Sequence, residues 1–309
     1  MRRWLVVFFV VTTCSFFQVQ QDYLYLAREK GLDVEEFTNN VGYVFVSLLP
    51  MTVFLRKKPF LMYLAFSYCM LFIIMGMKRG AIIIGTITVV VALFRLSGGF
   101  SRFVNKKFFL FSCAILLTGY LVVSYYMENS EYFNYRLEQS LEGDSSNRDM
   151  LYSVLYHYYI SHTDSWQFLF GMGGLGTLKV AHQYAHNDWL ELAINQGILG
   201  IMMYLAYWIA AYKEWKKSDK SRIYSLVMLL LLLDYFIRSF ISMSYNNMNF
   251  ITTMTLGYCL AQNQMMDIMN QRRIEKWFIS KLNQCNNRNR NAANKELHTT
   301  SEATVHSST

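Results

Sequence analysis

Apolar runs of about 15 to 20 residues recur along this chain, and charged residues close each of them. A helix needs about 20 apolar residues to cross a bilayer. Only helices and closed barrels satisfy their backbone polar groups in lipid, and the alternating pattern of a barrel is absent. The runs therefore predict an all-α, polytopic membrane protein with about eight transmembrane helices. The predicted spans are residues 4–19, 41–55, 60–77, 80–96, 108–127, 198–212, 223–237 and 246–261.

The composition agrees with this fold class. Charged residues make up 16% of the chain, against about 25% in soluble domains. The net charge is +8, but an excess of Lys and Arg in a membrane protein mostly marks its cytoplasmic loops. We therefore expect a membrane lipid environment and no nucleic-acid partner.

Basic clusters orient the predicted spans. They follow spans two, four, six and eight, so all of them fall on one side if the spans alternate, together with the basic N-terminus. That side is predicted to be cytoplasmic, with both termini on it. The clusters are Arg56, Lys57 and Lys58; Arg95, Arg102, Lys106 and Lys107; Lys213, Lys216, Lys217, Lys220 and Arg222; and Arg272, Arg273 and Lys276.

The outer side receives one long acidic loop, residues 128–197, and loops of that length tend to be functional. Its spacing predicts helices at 130–141 and 148–161, a turn between them, a break at "FGMGGLG" and a helix that continues from His186 into the sixth span. Residues 1–261 form the predicted transmembrane domain. Residues 262–309, rich in polar residues, are predicted to be a disordered cytoplasmic tail.

Three cations stand out on the predicted outer side. Lys78 and Arg79 separate two apolar runs with almost no loop, against the rule that places cations inside. Snorkelling to the lipid headgroups is the alternative to a functional role. Arg148 is one of few cations in the acidic loop, where an ion pair with Asp144 or Asp149 is the alternative.

A second set of polar residues carries the other candidate sites. Asp234 and Arg238 are four residues apart in span seven and are expected to pair. His182 and His186 have a spacing that can ligate zinc, with His157 or His162 as a further ligand. The glutamate of H-E-x-x-H is missing, so no metal is predicted. "FGMGGLG" contains G-x-G-x-x-G without the strand that a dinucleotide site needs, which favours a plain turn.

Taken together, these residues indicate chemistry on a phosphate-bearing lipid. Arginine binds phosphate with two parallel hydrogen bonds, and histidine exchanges a proton near neutral pH. The predicted outer boundary collects Arg79, Arg148, Arg238, His186, Asn187 and Asp188.

The segment "HNDWLELAINQGILG" resembles the signature of the O-antigen ligase and polymerase superfamily. "NRDMLYSVLYHYYI" followed by "FLFGMGGLGT" is similar to that family's arginine helix and glycine-rich turn, and "MGMKRGAIII" to its Ser-Arg-Gly element. The resemblance covers residues 60–261. Lys78 stands where serine is usual, and Asn195 and Gln196 stand where an acidic residue is common. Relatives have more spans, so the chain is a short member or lacks N-terminal spans.

The resemblance implies a metal-independent membrane glycosyltransferase without a cofactor. Such an enzyme moves a glycan from polyprenyl pyrophosphate to a sugar hydroxyl, at the outer face of the bacterial cytoplasmic membrane. Polymerisation of repeat units for O-antigen, capsule or exopolysaccharide is the first expectation. Transfer to the lipid A core by a ligase is the second, and a non-enzymatic transporter or assembly component is the third. A flippase and a chain-length regulator are expected partners.

The resemblance also implies residue roles. His186 would be the general base on the acceptor hydroxyl, and Arg79 and Arg148 would bind the pyrophosphate. The expected substrate-binding residues are Asn187, Asp188, Arg238 and Lys78.

Overall fold

The computed structural model describes residues 2–30, 39–96, 148–161, 163–242 and 250–305, with isolated positions between 113 and 138. All regular structure in these ranges is helical. The predicted span at 108–127, the predicted helix at 130–141 and the turn after it lie largely outside the described residues. The helices are α1 (Arg2–Lys30), α2 (Gly42–Thr52, followed by a 3₁₀ turn at Val53–Leu55), α3 (Pro59–Met75), α4 (Arg79–Leu96), α5 (Arg148–Ser161), α6 (Ser165–Phe170), α7 (Gly176–Ala181), α8 (Asp188–Lys217), α9 (Ile223–Ile241) and α10 (Phe250–Val305).

Four of the described helices are long and apolar enough to cross a membrane, namely α1, α4, α8 and α9. The helices α2 and α3 are apolar but shorter. Large apolar side chains remain exposed on the long helices, among them Val6 (63% exposed), Ile83 (54%) and Met203 (67%). Exposed apolar surface of this kind suits contact with lipid rather than water. The described residues therefore support a multi-pass membrane protein with four candidate spans, where the sequence predicts about eight.

The helix α2 occupies the centre of the main core. Phe45, Val46, Leu48, Leu49 and Met51 are all fully buried. A helix that is apolar on every side is a buried helix, and α2 fits that rule. It is packed among α1, α3, α4 and α9. Surrounding helices therefore hold α2 at the centre of the bundle.

A second, smaller core lies where α5 and the short helices α6 and α7 pack against the first half of α8. Leu155 and Ile194 are buried in it, with Leu151, Tyr159 and Ala193 around them. The helix α5 has the bounds that the sequence predicts, since its apolar residues recur at helical spacing. This core holds together the helices that carry the candidate site.

The last helix, α10, continues to Val305, although the sequence predicts a disordered tail from residue 262. The chain divides into two compact units, residues 1–260 and 261–309. Straight-chain residues that favour helices are frequent after residue 262, which accounts for the helix. Apolar side chains on it remain exposed, including Ile274 (61%) and Trp277 (57%). The helix covers most of the predicted eighth span but is not among the four candidate spans.

Candidate functional site

The helix α8 begins directly after the His-Asn pair of the signature segment. Asn187 is its N-cap, and the Asn187 Oδ1 accepts hydrogen bonds from the backbone N–H groups of Trp189 at 2.9 Å and Leu190 at 3.2 Å. Its amide nitrogen donates to the backbone oxygen of Phe240 at 3.3 Å. Capping satisfies N–H groups that the helix itself cannot. Asn187, predicted to bind substrate, thus fixes the start of α8 and ties it to the end of α9.

His186 lies immediately before this cap, in the left-handed backbone region with φ 52°. His186 is exposed as a residue, although its ring is partly shielded from water. The hydroxyl of Tyr152 donates to its backbone oxygen at 3.3 Å. Loss of hydration lowers the pKa of His186, and the charges of Arg148 and Lys78 lower it further, while Glu191 opposes them. The imidazole therefore favours its neutral form, which can accept a proton.

Arg148 is the first residue of α5, and its guanidinium anchors that helix to the end of α9. The Arg148 Nη1 donates to the backbone oxygen of Ile241 at 2.9 Å. Tyr152 lies one turn later, and its hydroxyl donates to the backbone oxygen of His186. Burial raises the pKa of Tyr152, and Arg148 partly offsets this increase. Tyr152 thus links the arginine helix to the histidine segment, a role that its place in an aromatic run did not reveal.

Lys78 and Arg79 lie at the start of α4. Lys78 is close enough to His186 to affect its pKa, and Arg79 follows it directly. The next residue, Gly80, is so close to the hydroxyl of Tyr43 that an added Cβ would overlap it. Any side chain at this position would require the Tyr43 hydroxyl to move. The "KRG" element therefore packs against α2 and contributes a cation to the surroundings of His186.

Arg238 and Asp234 form a separate buried group beside this element. The Arg238 Nη1 donates to the Ser47 Oγ at 3.4 Å, and the Ser47 Oγ donates to the Asp234 Oδ2 at 3.5 Å. The guanidinium carbon of Arg238 lies 4.7 Å from the centre of the Tyr43 ring. The sequence predicts that Asp234 and Arg238 pair with each other, but the structure connects them through the α2 hydroxyl of Ser47 and not by a direct ion pair. Arg238 is only 5% exposed, which favours a structural contact over direct substrate binding.

Asp188, the other predicted substrate-binding residue, is fully buried. The hydroxyl of Tyr204 donates to its Oδ2 at 2.8 Å. The ring of Tyr204 lies 5.2 Å from that of Trp189. Asp188 therefore joins the two halves of α8 and is placed to orient the helix rather than to contact a ligand.

Glu191 is a buried carboxylate that the sequence analysis did not single out. Its Oε1 accepts hydrogen bonds from the Thr177 hydroxyl at 2.5 Å and the Asn195 side-chain amide at 3.0 Å, and its Oε2 accepts one from the Ala185 N–H at 2.8 Å. The Asn195 Oδ1 in turn accepts from the Thr177 N–H at 3.2 Å. Buried carboxylates need such partners. A glutamate between apolar neighbours in a helix is the signal that could have identified it.

The glycine-rich turn fits against an interruption of α8 at Gly197, where φ is 65°. The Met172 N–H donates to the backbone oxygen of Ile194 at 2.8 Å, and the Gly173 N–H to that of Asn195 at 3.0 Å. Where the helix is interrupted, these two carbonyl oxygens lack an N–H donor from the helix itself, and the glycine-rich turn supplies one. A Cβ on Gly197 would lie 2.6 Å from the backbone oxygen of Leu169. The segment "FGMGGLG" therefore makes backbone hydrogen bonds to α8 within the protein.

The structure thus brings four predicted residues into one neighbourhood: His186, Arg148, Lys78 and Asn187. Asp188 and Arg238 lie in adjoining buried groups. His182 ends α7 with φ 57° and is exposed. Across the described ranges, no group of three or more His, Cys, Asp or Glu side chains could hold a metal ion.

Comparisons with known proteins give no match among protein-family models, curated proteins or solved structures.

Proposed function

We propose that this protein is a membrane glycosyltransferase that polymerises polyprenyl-pyrophosphate-linked oligosaccharide repeat units at the outer face of a bacterial cytoplasmic membrane. The observation that carries the proposal is that hydrogen bonds hold the segment of His186 and the guanidinium of Arg148 together at the end of the apolar helix α9. A base and anion-binding groups are what transfer from a pyrophosphate-linked sugar requires.

In this proposal His186 is the general base. The acceptor hydroxyl oxygen attacks the anomeric carbon of the donor as its proton passes to the imidazole. The bond between the anomeric carbon and the pyrophosphate oxygen breaks, and both electrons leave with the pyrophosphate. A single displacement of this kind inverts the configuration at that carbon. The lowered pKa of His186 keeps the base ready to accept the proton.

Arg148 and Lys78 bind the leaving pyrophosphate, together with Arg79. A guanidinium has five N–H donors, and the hydrogen bond from Arg148 to Ile241 uses one of them. Cations placed where negative charge develops lower the barrier most in a site that excludes water. The charges of Arg148 and Lys78 act on His186, which supports a site where the base and the leaving group meet.

Aromatic side chains support a site at the membrane surface. In α6, Trp166 is 70% exposed and Phe170 41% exposed, with their rings 4.4 Å apart. Tryptophan is enriched where membrane meets water. The helix α6 packs against α8 beside the glycine-rich turn. The exposed aromatic pair therefore supports a site near the membrane surface, where a lipid-linked pyrophosphate is held.

Reconstitution tests the proposal. The purified protein in lipid vesicles is given polyprenyl-pyrophosphate repeat units, and products are resolved by chain length. We expect polymer from the wild type, none from His186→Ala, and near-normal polymer from His182→Ala, whose histidine is exposed in the same segment. No polymer from the wild type, or full activity in His186→Ala, would refute it. Transfer of a single glycan to added lipid A core would instead identify a ligase.

A further inference from the structure

A cavity of about 320 Å³ opens at the other end of the same helices. Four cations line it, and they come from three separate segments: the turn after α2, the last turn of α4 and the connection between α8 and α9. Met62 and Tyr63 of α3 also line it and are 4% and 8% exposed. The cations are Arg56, Arg95, Lys220 and Arg222.

The cavity is about one bilayer thickness from His186. The helix α4 begins at Arg79, beside Lys78, and Arg95 lies in its last turn. A helix of 18 residues is about 27 Å long, close to the thickness of the hydrocarbon core. The helix α9 runs between the same two ends, from Arg222 at its N-cap to Ile241. The cavity therefore lies on the side that the charge pattern predicts to be cytoplasmic.

Asp219 offsets the convergence of these cations only in part. Partial burial and the charge of Arg95 lower the pKa of Lys220. Lys220 lies 3.7 Å from the centre of the Trp215 ring, and the Nε of Arg222 is 3.5 Å from the Oδ2 of Asp219. No acidic side chain is among the described residues that line the cavity. An anionic ligand would offset the repulsion between the cations.

The helix that lines the cavity also carries exposed apolar side chains. Pro59, Met62 and Tyr63 of α3 line the cavity. Phe60, Leu61 and Leu64 lie on the opposite face of the same helix and are 66%, 42% and 56% exposed. The cavity therefore opens at the end of a helix whose outer face is suited to acyl chains, which favours a ligand from the membrane over a small soluble phosphate compound.

We propose that this cavity binds the phosphate headgroup of an anionic phospholipid from the cytoplasmic leaflet. Arg56 and Arg95 provide planar guanidinium groups that match phosphate oxygens. Basic pockets between membrane helices on this side recognise anionic headgroups in this way. The site is independent of the proposed sugar transfer.

Basic residues on this side could serve only to orient the protein in the membrane, and such residues would not need to line a cavity. The chain offers a control that distinguishes this role from lipid binding. Lys57 and Lys58 follow Arg56, are exposed, and do not line the cavity. The double variant Lys57→Gln/Lys58→Gln removes the same charge from the same face as Arg56→Gln/Arg95→Gln.

The test measures phosphatidylglycerol bound to the full-length protein by native mass spectrometry from neutral detergent, with phosphatidylcholine and inorganic phosphate as comparisons. We expect retention of phosphatidylglycerol over phosphatidylcholine in the wild type and in Lys57→Gln/Lys58→Gln. The affinity should fall about tenfold or more in Arg56→Gln/Arg95→Gln, since two charge-assisted contacts are lost.

Three results would overturn the assignment: equal binding of the two lipids, equal losses in the two double variants, or unchanged affinity in Arg56→Gln/Arg95→Gln. Saturation by inorganic phosphate that displaces the lipid would assign the cavity to a soluble phosphate compound instead. Thermal unfolding of each variant in detergent checks that it is folded.

Discussion

The buried carboxylate of Glu191 accepts a hydrogen bond from the backbone N–H of Ala185 at 2.8 Å, and Ala185 directly precedes His186. The same carboxylate is held by Thr177 from α7 and Asn195 from α8. The position of the histidine segment therefore depends on a side chain one turn into α8. Glu191 acts on His186 through the backbone, as a positioning residue.

Replacement of this carboxylate should disturb both stability and the site. In Glu191→Gln an NH₂ group takes the place of one acceptor oxygen, so a buried donor loses its partner. Such a loss costs about 1–3 kcal/mol, and we expect the melting temperature in detergent to fall by several degrees. Polymer formation should fall more than the folded fraction does. Glu214→Gln, on the same helix in an exposed pair with Lys217, should change neither quantity.

The pH at which activity is lost on acidification, the acid limb of the pH profile, should depend on the charges around His186. The lowered pKa of its imidazole keeps the base neutral to a lower pH than the ordinary value of about 6.5. Activity should therefore persist below that pH and be lost as the imidazole gains a proton. Lys78→Gln removes one cause of the lowered pKa, so the limb should move to higher pH. The measurement is the pH dependence of kcat/KM in the wild type and in Lys78→Gln. Lys179→Gln is the control and should leave the acid limb unchanged.

Local patterns predicted the elements correctly where neighbouring residues alone determine them. The helix α5 follows from the spacing of its apolar residues, and the end of α6 follows from Gly171, whose φ is 75°. The role of Asn187 as an N-cap could equally be read from its place before an apolar helix. Its place in the family signature predicted substrate binding instead.

Contacts between distant segments could not be predicted in this way. The apolar pattern of α8 continues through Gly197, and an isolated glycine inside a helical pattern is usually tolerated. Only the approach of Leu169 and the Met172 N–H shows why the helix is interrupted. The hydroxyl of Ser47 between Asp234 and Arg238 likewise comes from a helix far away in the chain. The number of spans depends on helix lengths that apolar runs define only loosely.

Arg148 should not tolerate replacement by lysine. Lys keeps the charge but offers a single ammonium in place of a planar fork. It would lose the geometry of the bond to the Ile241 oxygen and of any second bond to phosphate. We expect kcat/KM for repeat-unit transfer to fall about 100-fold, and Arg79→Lys to be impaired in the same assay. Near-normal transfer in both variants would contradict the pyrophosphate assignment, and Arg273→Lys on α10 provides the matched control.

The interruption of α8 should make Gly197, like Gly171 which it contacts, hard to replace. Its φ of 65° is strained for any other residue, and a Cβ would lie 2.6 Å from the Leu169 backbone oxygen and 2.7 Å from the Gly171 nitrogen. Backbone strain alone costs about 1–3 kcal/mol. The added Cβ would also meet backbone atoms, which cannot rotate away as a side chain could. We expect Gly197→Ala to lower the melting temperature in detergent and to abolish polymer formation. Gly257→Ala, in α10 with open space around its added Cβ, should melt at or above the wild-type temperature, since alanine favours a helix. A melting temperature for Gly197→Ala equal to that of Gly257→Ala would show that the turn and the helix do not pack together as described.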